Sequence, residues 1–255
     1  MKKRIFLTML DKDEGLAKLM FQEMVRYGLE PGGHFWVDDL PNMAWSGAIP
    51  ELCDPACACW AVIGQAGRFA EKATRQGLSY LALAAQAAHG HGFPILLSPS
   101  GGKVDAASLP TPLGGAEVVP SGLGVKAVAK ANAPRGADRP EYRLNPHPLP
   151  GLGFWLEVGP GGDPWKGAML GAAGAEPDAH GVGPAGSIPQ TSTLHYPVRG
   201  MKLALGEREF DAWGVKNDLS VAESYFVRLT AAPEAIVFGS FPDEDDASVF
   251  TVQLA

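Results

Sequence analysis

The opening forty residues constrain this chain more than any other stretch. A compact apolar run, Ile5-Phe6-Leu7-Thr8-Met9-Leu10, passes directly into Asp11-Lys12-Asp13-Glu14 and then into a helical pattern. A second apolar run, Phe35-Trp36-Val37, closes on Asp38-Asp39. Strands that end in acids where helices begin build an α/β layer with polar groups gathered along one edge. Open α/β sheets bind ligands at that edge, outside the carboxyl ends of their strands. A fold and a place to look follow from this; a reaction does not.

Residues 1–133 read as alternating strand and helix. A strand at 4–10 leads to a helix over 13–28, with Leu16, Leu19, Met20, Met24 and Tyr27 on one stripe. Asp13 suits its N-cap and Gly28 its C-cap. A strand at 34–38, a short helix over 44–52 and an apolar strand at 57–63 come next. Continuous apolar character in that last strand fits burial on both faces. An Ala-rich helix over 77–89 precedes a strand at 94–97, which runs out into the loop Ser98-Pro99-Ser100-Gly101-Gly102. A fifth strand near 117–119 and a helix over 125–131 close the pattern. Such alternation implies a parallel sheet with right-handed crossovers.

The texture changes at a Pro/Gly-rich linker, 134–140. Beyond it, over 141–255, helical signals nearly vanish and short apolar runs appear at 154–158, 193–196, 201–205, 225–230, 236–238 and 249–254. That pattern predicts an antiparallel β-sandwich or barrel. Two similar segments occur within it, Val158-Gly159-Pro160-Gly161-Gly162 and Val182-Gly183-Pro184-Ala185-Gly186. They read equally as a weak repeat or as two like turns.

Composition excludes some functions. A formal net charge of -7 argues against nucleic-acid binding, which needs clustered cations; Lys2-Lys3-Arg4 is the one short basic run. The apolar segment after that run stops at Asp11 without a small-residue cleavage site, unlike a secretory signal. No stretch approaches the roughly 18 apolar residues of a membrane span. The three cysteines, Cys53, Cys57 and Cys59, are too close together for a disulfide framework. A cytoplasmic protein is expected.

The first 130 residues or so resemble a TIR domain, the flavodoxin-like signalling module. The resemblance rests on Phe6-Leu7-Thr8-Met9-Leu10-Asp11-Lys12-Asp13-Glu14, on Leu16-Ala17 and Leu19, and on Phe35-Trp36-Val37-Asp38-Asp39-Leu40. Gly47 and Ile49, Cys59-Trp60-Ala61-Val62-Ile63 and Phe93-Pro94-Ile95-Leu96-Leu97 complete it. Nucleoside deoxyribosyltransferases share the layout, and Gly92-Phe93-Pro94 fits their strand entry. The TIR domains that cleave NAD carry a glutamate on the helix after the third apolar strand, as do the deoxyribosyltransferases, so the resemblance implies one there for catalysis. Here the corresponding Leu78-Ser79-Tyr80-Leu81-Ala82-Leu83-Ala84-Ala85-Gln86 holds no acid. Glu71 lies upstream and substitutes only if its loop folds inward. Cleavage of a glycosidic bond to nicotinamide or a base needs a carboxylate to attack or stabilise the cationic sugar. The resemblance therefore implies a nucleotide-sensing or protein-interaction module first. An N-glycosidase acting on NAD or a nucleoside is the competing reading, and a structural or assembly protein without a small-molecule site is the third. No cofactor is required; NAD or a related nucleotide enters as ligand or substrate. Partners are a nucleotide-like small molecule or a protein, with homo-oligomerisation left open.

The candidate catalytic carboxylates are Asp38 and Glu71. Thr8, Asp11, Asp39, Trp45, Ser98 and Ser100 are the candidate ligand contacts. Asp38 and Asp39 suit ribose hydroxyls or a metal contact, or simply a solvated turn with one acid capping the next helix. Trp45, with Trp36 nearby, offers an aromatic face for a base, or else belongs to the core. Ser98-Pro99-Ser100-Gly101-Gly102-Lys103 ends a strand as phosphate loops do, without their spacing. Cys53, Cys57 and Cys59 lack the paired spacing and fourth ligand of a zinc or iron–sulfur site unless His34 or His91 joins them, and no metal is assigned. His89 and His91 suit a helix C-terminus as well as a metal pair. Ser187, Ser192, His195 and Asp211 supply the residue types of a hydrolase triad without a nucleophile elbow. Glu207-Arg208-Glu209 and Asp243-Glu244-Asp245-Asp246 read as exposed hairpin ends, the latter without calcium-loop spacing.

Overall fold

The computed structural model describes residues 2–134, 140–241 and 249–255. The chain divides into two compact units, Met1–Asp138 and Arg139–Ala255. The first runs β1 (Arg4–Met9), α1 (Glu14–Arg26), β2 (Glu30–Phe35), a 3-10 turn (Ala44–Ala48), α2 (Ile49–Leu52), β3 (Cys57–Gln65), a second 3-10 turn (Ala66–Ala70), α3 (Lys72–His89), β4 (Ile95–Ser100), β5 (Glu117–Val118) and α4 (Leu123–Asn132). All its strand pairs are parallel, in the order β2-β1-β3-β4-β5. This is the doubly wound, flavodoxin-like order, whose direction reverses between β1 and β3.

Strand alternation sorts the core. Ile5, Leu7 and Met9 of β1 join Ala61 and Ile63 of β3 in a cluster with Met24 of α1 and Leu123, Ala127 and Ala131 of α4. The opposite face carries Phe6, Thr8, Trp60 and Val62, which are also buried, on the side of α2 and the long buried stripe of α3. Asp13 caps α1 by accepting from the Leu16 backbone N–H at 2.9 Å. Leu19 departs from the expected stripe and is exposed, while Phe21 packs inward instead. Among the described residues no helix is long and apolar enough to cross a membrane.

Three boundaries differ from expectation. The second strand is Glu30–Phe35, not 34–38, because β1 pairs it in register from Arg4↔Glu30 to Met9↔Phe35. Pro31, Gly32 and Gly33 disguise it; an edge strand tolerates them. Trp36, Val37 and Asp38 consequently leave the sheet and enter the loop. Helix α3 starts five residues before 77, its first turn being polar. Ser98 and Ser100 belong to β4, paired with Ile63 and Gln65, not to a phosphate-type loop.

The second unit contains β6 (Tyr142–Leu149), β7 (Gly153–Pro160), β8 (Trp165–Ala173), β9 (Pro177–Pro184), β10 (Val198–Leu205), β11 (Arg208–Leu219), β12 (Glu223–Leu229), β13 (Ala235–Gly239) and β14 (Val249–Gln253). Antiparallel pairing orders them as β10-β11-β8-β13-β14 and β6-β7-β12-β9. The two sheets pack as a sandwich, with Tyr142 edge-on to Phe238 at 5.0 Å. The expected run at 193–196 is not a strand, and Tyr196 there adopts a left-handed φ of 44°. The two similar segments prove to be strand ends in equivalent places. Val158 and Val182 both pair with Tyr225, one on each side of β12. Residues 135–139 of the linker and the acidic run at 243–246 lie outside the described residues.

Thr8, expected as a ligand contact, is fully buried. Its Oγ1 accepts from Trp60 Nε1 at 2.9 Å and lies 3.1 Å from His34 Nε2. Thr8→Val keeps the shape and removes the oxygen, stranding a buried indole N–H. We expect a loss of about 1–3 kcal/mol, the usual cost of an unsatisfied buried donor, measured by chemical unfolding of the full chain.

Candidate functional site

The carboxyl ends of β1, β2 and β3 converge on one arginine. Arg68 sits in the 3-10 turn after β3, anchored by the buried Phe69 next to it. Its Nη1 donates to Glu71 and its Nη2 to Asp38. Nη2 also lies 3.5 Å from the Leu10 carbonyl, and Nε lies 3.9 Å from Asp11 Oδ1. Asp11 in turn accepts from the Gln65 backbone N–H at 2.8 Å, tying the end of β1 to the end of β3. Asp38 accepts from Trp36 Nε1 at 2.8 Å. Thr74, buried in the first turn of α3, places Oγ1 3.3 Å from both Asp38 and Glu71.

Three carboxylates around a single guanidinium leave an excess of negative charge. Burial pushes the Asp38 carboxyl upward, but hydrogen bonds from Arg68, Trp36 and Thr74 outweigh it and hold the group below its ordinary range. Burial pulls the Arg68 guanidinium down, and its bonds to Asp38 and Glu71 reverse this and raise it. Asp38 is therefore an ionised acceptor at neutral pH, suited to hydroxyl groups or positive charge and unsuited to donating a proton. Among the described residues no three His, Cys, Asp or Glu side chains gather as a metal site.

Other sequence candidates are distributed differently. Asp39 turns onto its own loop and accepts from Asn42 through the backbone N–H and Nδ2. Trp45 is 2% exposed and tilts against Tyr80 at 5.1 Å, so it offers no face to a ligand. Trp36 takes the position at the edge, half-buried, its ring lying over Gly77 of α3. A Cβ on Gly77 would stand 2.7 Å from that ring, so the close approach requires glycine here. Ser98 is half-buried, and Ser100 donates to the Gly64 carbonyl at 3.4 Å. Met43, in the loop after Asp39, holds a left-handed φ of 55°, the kind of backbone outlier that clusters at ligand clamps.

Arg68 and Thr74 are not legible in the sequence as site residues, and Trp36 enters there only as the neighbour of Trp45. A cation isolated in Gln65-Ala66-Gly67-Arg68-Phe69, just past an apolar strand, was the available signal for the first. The cysteines are free, and burial, with Cys57 nearby, pushes the Cys53 thiol up to about 11. His89 binds the Leu52 carbonyl at 2.9 Å, a structural role. Ser192 spends its hydroxyl on Val182, and Asp211 pairs with Lys202. No hydrogen bond joins Ser187, Ser192, His195 and Asp211 among the described residues, so they form no triad. Two cavities of about 430 and 390 Å³ open at the opposite, amino edge of the parallel sheet and share Lys2 and Lys3. Cys57 lines the larger of them, and none of Thr8, Asp11, Asp38, Asp39, Trp45, Glu71, Ser98 and Ser100 lines either.

Family models, curated proteins and solved structures yielded no match to this chain.

Two expectations follow from this geometry. Burial holds the His34 imidazole at about 4, below its ordinary 6.5. The unfolded chain therefore binds more protons between those values, so His34's contribution is complete above about pH 6.5 and is lost as pH falls toward 4. His34→Gln should flatten the pH dependence of unfolding across that window relative to the wild type. Gly77→Ala should displace Trp36 from Asp38 and change tryptophan emission. The melting temperature should hold, because alanine is favoured in a helix interior by roughly 1 kcal/mol.

Proposed function

We propose that the α/β unit is a TIR-like, nucleotide-sensing module that binds a nucleotide-like ligand at the carboxyl edge of its sheet. The observation that carries this reading is the convergence of Asp11, Asp38 and Glu71 on Arg68, beside the half-buried ring of Trp36. Beds of this kind lie where strand order reverses, and the reversal here is between β1 and β3. Ionised carboxylates accept ribose hydroxyls, and Trp36, in place of Trp45, supplies a ring for the base. The β-sandwich then serves partner recognition or assembly, in a cytoplasmic protein.

A specific observation favours N-glycosidic cleavage of NAD or a nucleoside as the second reading. Glu71, absent from the expected stretch of helix, reaches the same edge from just before α3. Thr74 Oγ1 stands 3.3 Å from both it and Asp38. Two carboxylates so placed are suited to a sugar that becomes cationic as its bond to the base breaks.

One experiment separates the readings. The full chain is incubated with NAD and a nucleoside panel, products are resolved by chromatography, and melting is followed in parallel. Sensing predicts a raised melting temperature with NAD or a nucleotide, lost in Asp38→Ala, and no released nicotinamide or base. Glycosidase action predicts release that Asp38→Ala or Glu71→Ala abolishes. Neither a shift nor a product overturns both.

A further inference from the structure

The β-rich unit carries an arginine that the fold aims deliberately. Strand β10 pairs with β11, but the register shifts between Val198 and Met201. Gly200 sits in that bulge at φ 69°, a left-handed conformation that favours glycine. Bulges interrupt side-chain alternation and redirect a residue. Here Arg199 lies over the Trp213 ring of β11, with its guanidinium carbon 5.0 Å from the ring centroid. It also reaches the other sheet, where its Nε donates to His180 Nε2 of β9 at 3.2 Å.

That bond sets the state of the histidine. Arginine has no acceptor, so His180 Nε2 must accept, and its proton resides on Nδ1. Nδ1–H then donates to the Tyr225 hydroxyl at 2.9 Å, inside the sandwich, where Tyr225 is fully buried. Burial, followed by the Arg199 charge, lowers the imidazole to about 4 and keeps it neutral at ordinary pH. His180 also stands edge-on to Trp213 at 4.8 Å. A buried tyrosine, a neutral histidine and an indole face thus fix the base of one exposed guanidinium. Among the described residues its Nη1 and Nη2 groups reach no hydrogen-bond partner.

We propose that Arg199, backed by Trp213 and His180, is a binding site for the carboxylate of a small organic acid. A guanidinium fork matches two coplanar oxygens, and stacking on an aromatic ring removes much of the freedom that binding would otherwise cost. The single positive charge suits a monoanion better than a phosphate dianion. Lys202, the nearest cation on the same strand, is occupied by Glu209 and Asp211, and His180 is neutral. A guanidinium also stacks on aromatic rings, so an aromatic acid gains contact with Arg199 beyond its carboxylate. This site is independent of the α/β edge and does not rest on nucleotide binding there.

The test is an NMR titration of the full-length protein at pH 7 and constant ionic strength, following the Arg199 Nε–H and Trp213 Nε1–H signals. Acetate, benzoate and inorganic phosphate are the probes, and Arg199→Lys and Arg199→Ala the variants, each checked by melting. Acetate and benzoate should give saturable shifts, with benzoate binding more tightly. Arg199→Lys, which keeps the charge but loses the fork, should weaken them by roughly tenfold, and Arg199→Ala should abolish them. Non-saturating shifts in the wild type, undiminished Trp213 shifts in Arg199→Ala, or tighter binding of phosphate than of either carboxylate would overturn the proposal.

Discussion

Burial of β1 on both faces is the constraint from which the α/β unit follows. Ile5 through Leu10 are all at most 3% exposed. A backbone so enclosed has no water to bond, so its N–H and C=O groups must pair within a sheet. Parallel β2 and β3 supply that pairing on either side. Once they do, the three strands end together, and the polar residues that follow each of them share one edge. The site is a consequence of satisfying the backbone of the central strand.

What holds that edge in order is modest in energy and specific in geometry. Asp38 and Glu71 are 44% and 47% exposed, and ion pairs so exposed typically contribute about 0–1 kcal/mol each. Arg68 therefore matters less for stability than for position. It draws together groups from three loops that the sheet alone would leave to diverge. The buried Phe69 beside it and the buried Thr74 on α3 give the clasp two fixed points in the core. The excess of acid over base leaves carboxylate oxygens with acceptor capacity to spare.

The sandwich manages polarity in a different way. Glu157 is 2% exposed, in the middle of β7. His147, Ser224 and the Gly186 backbone N–H all meet it within 2.8 Å. Burial raises this carboxyl, and those bonds more than offset the effect. Removing one partner from such a network costs more than the bond is worth, because the remaining charge stays buried. Arg143 crosses from β6 to the carbonyls of Pro160, Val221 and Glu223, fastening the end where the two similar segments flank β12. Their resemblance records equivalent positions around a shared central strand.

Local pattern was enough to reveal the parallel α/β half, the antiparallel β half, the Asp13 cap and the edge where polar groups gather, because each depends on periodicity or on residues adjacent in the chain. It misled where tertiary pairing overrode propensity. Glu30-Pro31-Gly32-Gly33 is a poor strand by composition and becomes one because β1 needs a partner. Trp165-Lys166-Gly167-Ala168-Met169-Leu170-Gly171-Ala172-Ala173 is not among the apolar runs expected of the β half, yet it fills the centre of a sheet where small side chains let neighbours pack closely. The exchange of Trp45 for Trp36 at the edge, the burial of Thr8 and the gathering of Asp38 and Glu71 around Arg68 were beyond reach in the sequence. Asp38 and Arg68 are 30 positions apart, and which side chains meet at such a separation is decided by strand order and register. The sequence by itself determined which segments must be buried and where their polar ends would lie; only the tertiary structure decided which of those polar groups would touch.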